Sequence, residues 1–156
     1  MIVVGLGGNI GGEDAVRSRF VAARAALYEL GTLRSSKLYR TAAIGPDQPD
    51  YLNAAVGVRW TDAQPAEVIT TVLEIERLLG RDRRGEARWG PRAIDLDVLW
   101  WDSRVVRQPD FEVPHPRLRE RRFALLPLLD LVHDEDLVAA EARLHAQRVV
   151  LVAPTW

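Results

Sequence analysis

An apolar run from Ala93 to Trp101 is interrupted by two acids, Asp95 and Asp97. It reads as a buried strand. Side chains alternate faces along a strand, so both carboxylates point the same way, about 6.6–6.8 Å apart along it. Ile94, Leu96 and Val98 point the other way, into a core. A fold that uses this strand must pack one of its faces and give the other a reason to hold two like charges. Such charges beside an apolar run are costly when unpaired. Two carboxylates at that spacing can hold one or two hard divalent cations. Magnesium usually takes one or two protein oxygens and completes its shell with phosphates and water. The alternative is the exposed polar face of an edge strand.

The rest of the chain supplies partners for that strand. Residues 2–6 are a short apolar strand, and Gly5, Gly7, Gly8, Gly11 and Gly12 make a flexible turn. From Glu13 and Asp14 to Leu30, apolar residues recur at helical spacing (Val16, Phe20, Ala23, Leu27), and Gly31 stops the helix. Thr32–Thr41 and Tyr51–Trp60 read as strands around a loop holding Gly45 and Pro46. Asp62 suits an N-cap for a helix from Pro65 to Leu79. Residues 81–92 form a long basic loop, 102–113 a hairpin and 115–122 a basic connector. Helices are expected at Phe123–Leu131 and Glu141–Arg148. The order β-α-β-β-α-β with helical additions predicts an α+β, ferredoxin-like sandwich: a mostly antiparallel sheet with helices packed on it.

A chain of 156 residues fits one domain spanning 1–156. Its net charge of −1 does not favour general nucleic-acid binding. Charge is nonetheless unevenly placed, with six arginines against two acids in residues 77–92 and four against one in residues 115–122. There is no cysteine, which excludes disulfides, thiolate metal sites and a cysteine nucleophile, and makes the cytoplasm the default compartment. No apolar run is long enough to span a membrane, and the N-terminus lacks a signal-peptide layout.

Arg81, Arg83, Arg84, Arg88 and Arg92 stand just before the aspartate strand. Guanidinium forks suit phosphate oxygens, Gly85 and Gly90 give the loop mobility, and Trp89 offers an aromatic face. A solvated basic loop or an RNA contact is the plainer reading of the loop taken alone. The glycine cluster at residues 5–12 is no dinucleotide or P-loop cradle: Ile10 stands where a third glycine is needed, and no Lys-Ser/Thr follows. Asn53 offers donors and an acceptor to a flat heterocycle, with Tyr51 and Phe123 for apolar or stacking contacts. His115 lies in a rigid Val113-Pro114-His115-Pro116 approach to the second basic patch, and the three histidines lack zinc-site spacing.

Four segments in order then resemble the 6-hydroxymethyl-7,8-dihydropterin pyrophosphokinase family of folate biosynthesis. They are Leu6–Gly11, Tyr39–Thr41 through Gly45-Pro46 to Pro49–Ala55, Gly80-Arg81 through Arg88–Asp97, and Val113–Pro116 through Arg121–Phe123. The resemblance implies attack of the substrate hydroxymethyl oxygen on the β-phosphorus of ATP, with AMP leaving. It implies two magnesium ions on Asp95 and Asp97, and Arg81 and Arg92 assisting transfer. It places Arg83, Arg84, Arg88, Trp89, Arg92, Val98, His115 and Arg121 at ATP, and Thr41, Ala43, Ile44, Tyr51, Asn53 and Phe123 around the pterin. A monomer is the family-based expectation. Gly8 replaces a frequent serine, Ala42-Ala43 a frequent proline pair, and Pro116 a tyrosine of some members. Two other readings stay open: a binding module using the same pocket without turnover, and a ferredoxin-like RNA binder, for which Tyr39, Tyr51 and Trp60 are too scattered.

Overall fold

A computed structural model describes residues 1–43, 45, 47–83, 90–102, 104–109 and 111–156. The chain begins with β1 (Ile2–Gly8) and α1 (Gly12–Tyr28). Next come β2 (Thr32–Ser35), β3 (Leu38–Thr41) and β4 (Tyr51–Arg59), then α2 (Pro65–Leu78) and β5 (Asp95–Trp101). A separate hairpin, β6 (Val106–Gln108) and β7 (Phe111–Val113), precedes a 3₁₀ turn at Leu118–Glu120. Helices α3 (Arg122–Leu129) and α4 (Glu135–Ala142) and strand β8 (Val149–Ala153) complete the fold.

The main sheet runs β5-β1-β4-β3-β8, with β2 also on β4, and every neighbouring pair is antiparallel. Its β-α-β-β-α-β core has the expected ferredoxin-like order. Helices α1 and α2 pack on one face. Phe20, Ala23 and Leu27 of α1 and Val68, Val72 and Ile75 of α2 meet Val4, Leu6, Val56, Leu96 and Val98 in one core. A second core on the opposite face joins Val3, Ala55 and Leu99 to Leu125 and Leu128 of α3 and to Leu137 of α4.

Several local expectations are corrected. Gly5, Gly7 and Gly8 belong to β1, not to the turn. The turn is made at Gly11 and Gly12, whose φ values of 89° and 82° favour glycine. The strand expected from Thr32 to Thr41 is two strands. Ser35 faces Val56 but Tyr39 faces Asn53, so one extra residue is inserted, as in a bulge. Ser36 fills the gap, its hydroxyl accepting the Ala55 N–H at 2.8 Å. The cap of α2 is Gln64, which forms a reciprocal capping box with Glu67, while Asp62 takes a left-handed conformation at φ 57°. The last helix spans Glu135–Ala142, not Glu141–Arg148, because Asp134 accepts the Leu137 N–H at 2.9 Å and so starts it earlier. The apolar residues after it form β8, which sequence reading left unassigned.

Candidate active site

Antiparallel register brings three strands to one place. Asp95 lies opposite Gly7 and Asp97 opposite Gly5 on β1; on the other side of β1, Gly7 faces Asn53 and Gly5 faces Ala55. The two glycines leave the middle strand bare between the aspartates and β4. Alternation turns Asp95, Asp97 and Leu99 away from α1 and α2, while Leu96 and Val98 are buried beneath. Because α3 and α4 cover only part of this second face, a cleft of about 360 Å³ opens over it.

Nine of the expected residues line this cleft: Asp95, Asp97, Arg92, His115 and Arg121, with Thr41, Tyr51, Asn53 and Phe123. Residues more than eighty positions apart in sequence thus share one wall. Asn53 donates from Nδ2 to the Thr41 hydroxyl at 2.9 Å. Its Oδ1 lies 3.7 Å from where a Gly7 side chain would begin, so the acceptor sits at the glycine floor. The Tyr51 hydroxyl donates to the Gly90 carbonyl at 2.8 Å, and the Arg92 N–H donates to Asn9 Oδ1 at 2.8 Å. These bonds tie the end of the basic loop to β4 and to the residue that follows β1.

Asp95 pairs with both Arg81 and Arg92. Asp97 has a more distant partner, Arg121 Nη1 at 3.7 Å. Burial first, and then the neighbouring Asp95 charge, lift the Asp97 carboxyl to about 6. His115 is pushed down to about 4, mainly by burial and then by Arg121. Its Nδ1 accepts the Arg117 N–H at 3.1 Å, so the neutral ring carries its proton on Nε2. Burial also lowers Arg121 from its ordinary value.

Other expected residues stand apart. Arg81 is buried beneath the cleft, its guanidinium held between Glu76 and Asp95. Arg83 donates to Glu76 Oε2 at 2.6 Å and does not line the cleft. Val98 has its side chain in the α1–α2 core, so its side chain is not a cleft contact. Ala42, rather than Ala43, lines the cavity. Ile44, Arg84, Arg88 and Trp89 lie outside the described residues.

Sequence reading missed Glu76, Arg117, Glu120 and Gln147. Glu76 is 1% exposed, and besides the two arginines it accepts the Leu96 N–H at 2.7 Å. Its signal was an acid on the buried helical stripe Val68, Val72, Glu76. Arg117, Glu120 and Gln147 reach the cleft only through tertiary packing.

A carboxylate pair ringed by guanidinium groups, beside a pocket with an amide acceptor and an aromatic ring, has the make-up of a phosphate-handling transferase site. Comparison with known proteins places it within one group. A sequence profile for 7,8-dihydro-6-hydroxymethylpterin-pyrophosphokinase matches residues 3–133, and the chain belongs to that family. A Synechocystis 2-amino-4-hydroxy-6-hydroxymethyldihydropteridine pyrophosphokinase is 39% identical over 85% of this chain and 66% of its own length. The Bacillus subtilis protein of the same name is 35% identical over 89% of this chain and 82% of its own. An Arabidopsis thaliana folate synthesis bifunctional protein is 36% identical, but the chain spans only 28% of it. The crystal structure of a Plasmodium falciparum HPPK-DHPS triple mutant with pteroate shares the fold at a TM-score of 0.65 and 13% identity. That match covers 93% of this chain and 43% of the Plasmodium one. Among the described residues no helix is long and apolar enough to cross a membrane.

Proposed function

We propose that this chain transfers pyrophosphate from ATP to the hydroxymethyl group of 6-hydroxymethyl-7,8-dihydropterin in folate biosynthesis, and that the cleft over Asp95 and Asp97 is where it does so. The observation that carries this reading is the placement of both carboxylates on one strand face, beside arginines and opposite Asn53 across a glycine floor. The hydroxymethyl oxygen attacks the β-phosphorus. The bond from that phosphorus to the oxygen bridging it to the α-phosphorus breaks, AMP leaves with that oxygen, and the hydroxyl proton is released.

Asp95 and Asp97 would hold two magnesium ions. The donor set suits them: two carboxylates on one strand face, with no guanidinium among the described residues nearer to Asp97 than Arg121 at 3.7 Å. When bound, the metal supplies charge neutralisation along the phosphate chain. The protein's own part is orientation and charge. Arg92 and Arg121 present guanidinium forks to phosphate oxygens, His115 offers its Nε2 proton, and Arg81 holds Asp95 from below. Asn53 and Thr41 meet the polar edge of the pterin, and Tyr51 and Phe123 its ring. The family resemblance adds Arg84, Arg88 and Trp89 to the nucleotide side and Ile44 to the pterin side.

Residues 1–156 are read as a single pyrophosphokinase domain, since one sheet runs from β1 near the start to β8 near the end. A monomer is carried over from the family resemblance, and the lack of cysteine suits a cytoplasmic setting. The test is AMP release from ATP with magnesium and the pterin, run beside Asp95→Ala and Asp97→Ala. AMP that appears only with the pterin, and not with either variant, is the expected result. Binding of both ligands by the wild-type protein without AMP would replace the enzyme with a binding module.

A further inference from the structure

Residues 143–148 follow α4 and lead into β8, beyond the stretch matched by the family profile. Gln147 stands there at the rim of the cleft. Its amide meets the backbone on both sides of Arg121. Nε2 donates to the Glu120 carbonyl at 2.9 Å, and Oε1 accepts the Arg122 N–H at 3.0 Å. The Arg122 side chain strengthens the hold: Nε donates to Glu141 Oε1 at 2.6 Å, and Nη1 to the Gln147 carbonyl at 3.0 Å. The Arg122 and Glu141 side chains are only 23% and 18% exposed, which favours this charge-assisted pair.

Arg121 is the residue enclosed. Its backbone is extended, at φ −121° and ψ 94°, immediately before α3 begins. Its guanidinium lies over Phe123, 5.8 Å from the ring centroid, and 3.7 Å from Asp97. None of the four bonds uses the Arg121 side chain. The two Gln147 amide bonds fix the backbone on either side of it, and the two Arg122 side-chain bonds hold the Gln147 segment in place. Small misplacement of a charged group at a reacting centre is costly.

We propose that Gln147, with Arg122 and Glu141, is a positioning clasp that aims Arg121 at the phosphate side of the cleft. The inference rests on the reading of that cleft as a nucleotide site. The test compares wild type, Gln147→Ala, Arg121→Ala and the double variant. Two quantities are read: amide exchange at Arg122 without ligand, and affinity for α,β-methylene-ATP with magnesium by calorimetry. In Gln147→Ala, exchange at Arg122 should rise at least about fivefold and nucleotide affinity fall about three- to tenfold, as expected for one or two exposed hydrogen bonds. In the Arg121→Ala background the Gln147 change should cost no further affinity. Glu141→Gln, which keeps an acceptor for Arg122, should retain most of the affinity. Unchanged exchange at Arg122 would overturn the clasp, as would an equal loss in both backgrounds. Wild-type protein that binds the analogue yet releases no AMP from ATP with the pterin would remove the functional reading alone, and the double-variant comparison would still decide the clasp.

Discussion

Gly7 lies directly across from Asp95 in the antiparallel β1–β5 pair, so the carboxylate has a neighbour without a side chain. An added Cβ there would meet Asn53 Oδ1 at 3.7 Å and Asp95 Cβ at 3.8 Å, ordinary contact distances. The strand itself therefore accepts a methyl group, whereas a larger side chain would project into the cleft. Gly7→Ala should bind substrates nearly as wild type. Gly7→Val should keep its unfolding temperature within a few degrees but lose at least about tenfold in affinity for both substrates, as its methyl groups occupy ligand space. Calorimetric titration beside thermal unfolding checks this, and a valine variant that binds normally would show that the floor is not used.

Asp97 is held charged at a cost. Its carboxyl is lifted to about 6, so at pH 7.5 the folded protein carries a carboxylate that the fold disfavours. The side chain is 39% exposed, and solvent screening reduces the penalty to about 1 kcal/mol. Asp97→Asn should therefore raise the unfolding temperature by about 2–4 °C in metal-free buffer. Activity should fall by at least about a hundredfold in the same variant. A variant that is both less stable and active would contradict both roles.

Glu76 joins helix to strand. It takes charge from Arg81 and Arg83 and the N–H of Leu96, all from a position 1% exposed. Glu76→Ala leaves the buried Leu96 N–H without its acceptor and takes one of two carboxylates from the buried Arg81 guanidinium, and should cost about 3–5 kcal/mol. Glu76→Gln keeps an acceptor for Leu96 and should cost less. Urea midpoints at constant m-value measure the order of the two.

His115 is neutral in the fold at neutral pH, with burial and Arg121 and Arg117 holding its pKa at about 4, partly offset by Asp95. Between about pH 6.5 and 4 the unfolded histidine binds a proton that the folded one refuses, so stability from this group falls as pH drops through 6.5. Asp97 works in the opposite direction over a similar range, because its raised pKa favours the folded state as acid is added. The pH dependence of wild type alone mixes the two. The difference between wild type and His115→Asn isolates the histidine: the variant should gain on wild type from pH 7.5 to pH 5. A gap that stays constant across that range would rule out the shift.

Much of the α+β order was readable, since the helical stripe Val16, Phe20, Ala23, Leu27 and the apolar strands follow directly from side-chain periodicity. The errors fell where periodicity is silent. Ser36 splits a strand through one hydroxyl bond to Ala55, and Gln64 outcompetes Asp62 as a cap by a reciprocal bond with Glu67. Neither choice is visible in an apolar pattern.

The same division holds for the site. Asp95 and Asp97 were determined by sequence alone, because a strand's two-residue period puts them on one face whatever surrounds it. So was the cluster of arginines that precedes them along the chain. That Gly5 and Gly7 are a cleft floor rather than a turn depends on register between β1, β4 and β5. Tertiary packing alone buries Arg81 against Glu76 and brings Gln147 back to Arg121. Those contacts join residues whose separation along the chain carries no periodic signal, so only the folded backbone could bring them within hydrogen-bonding range.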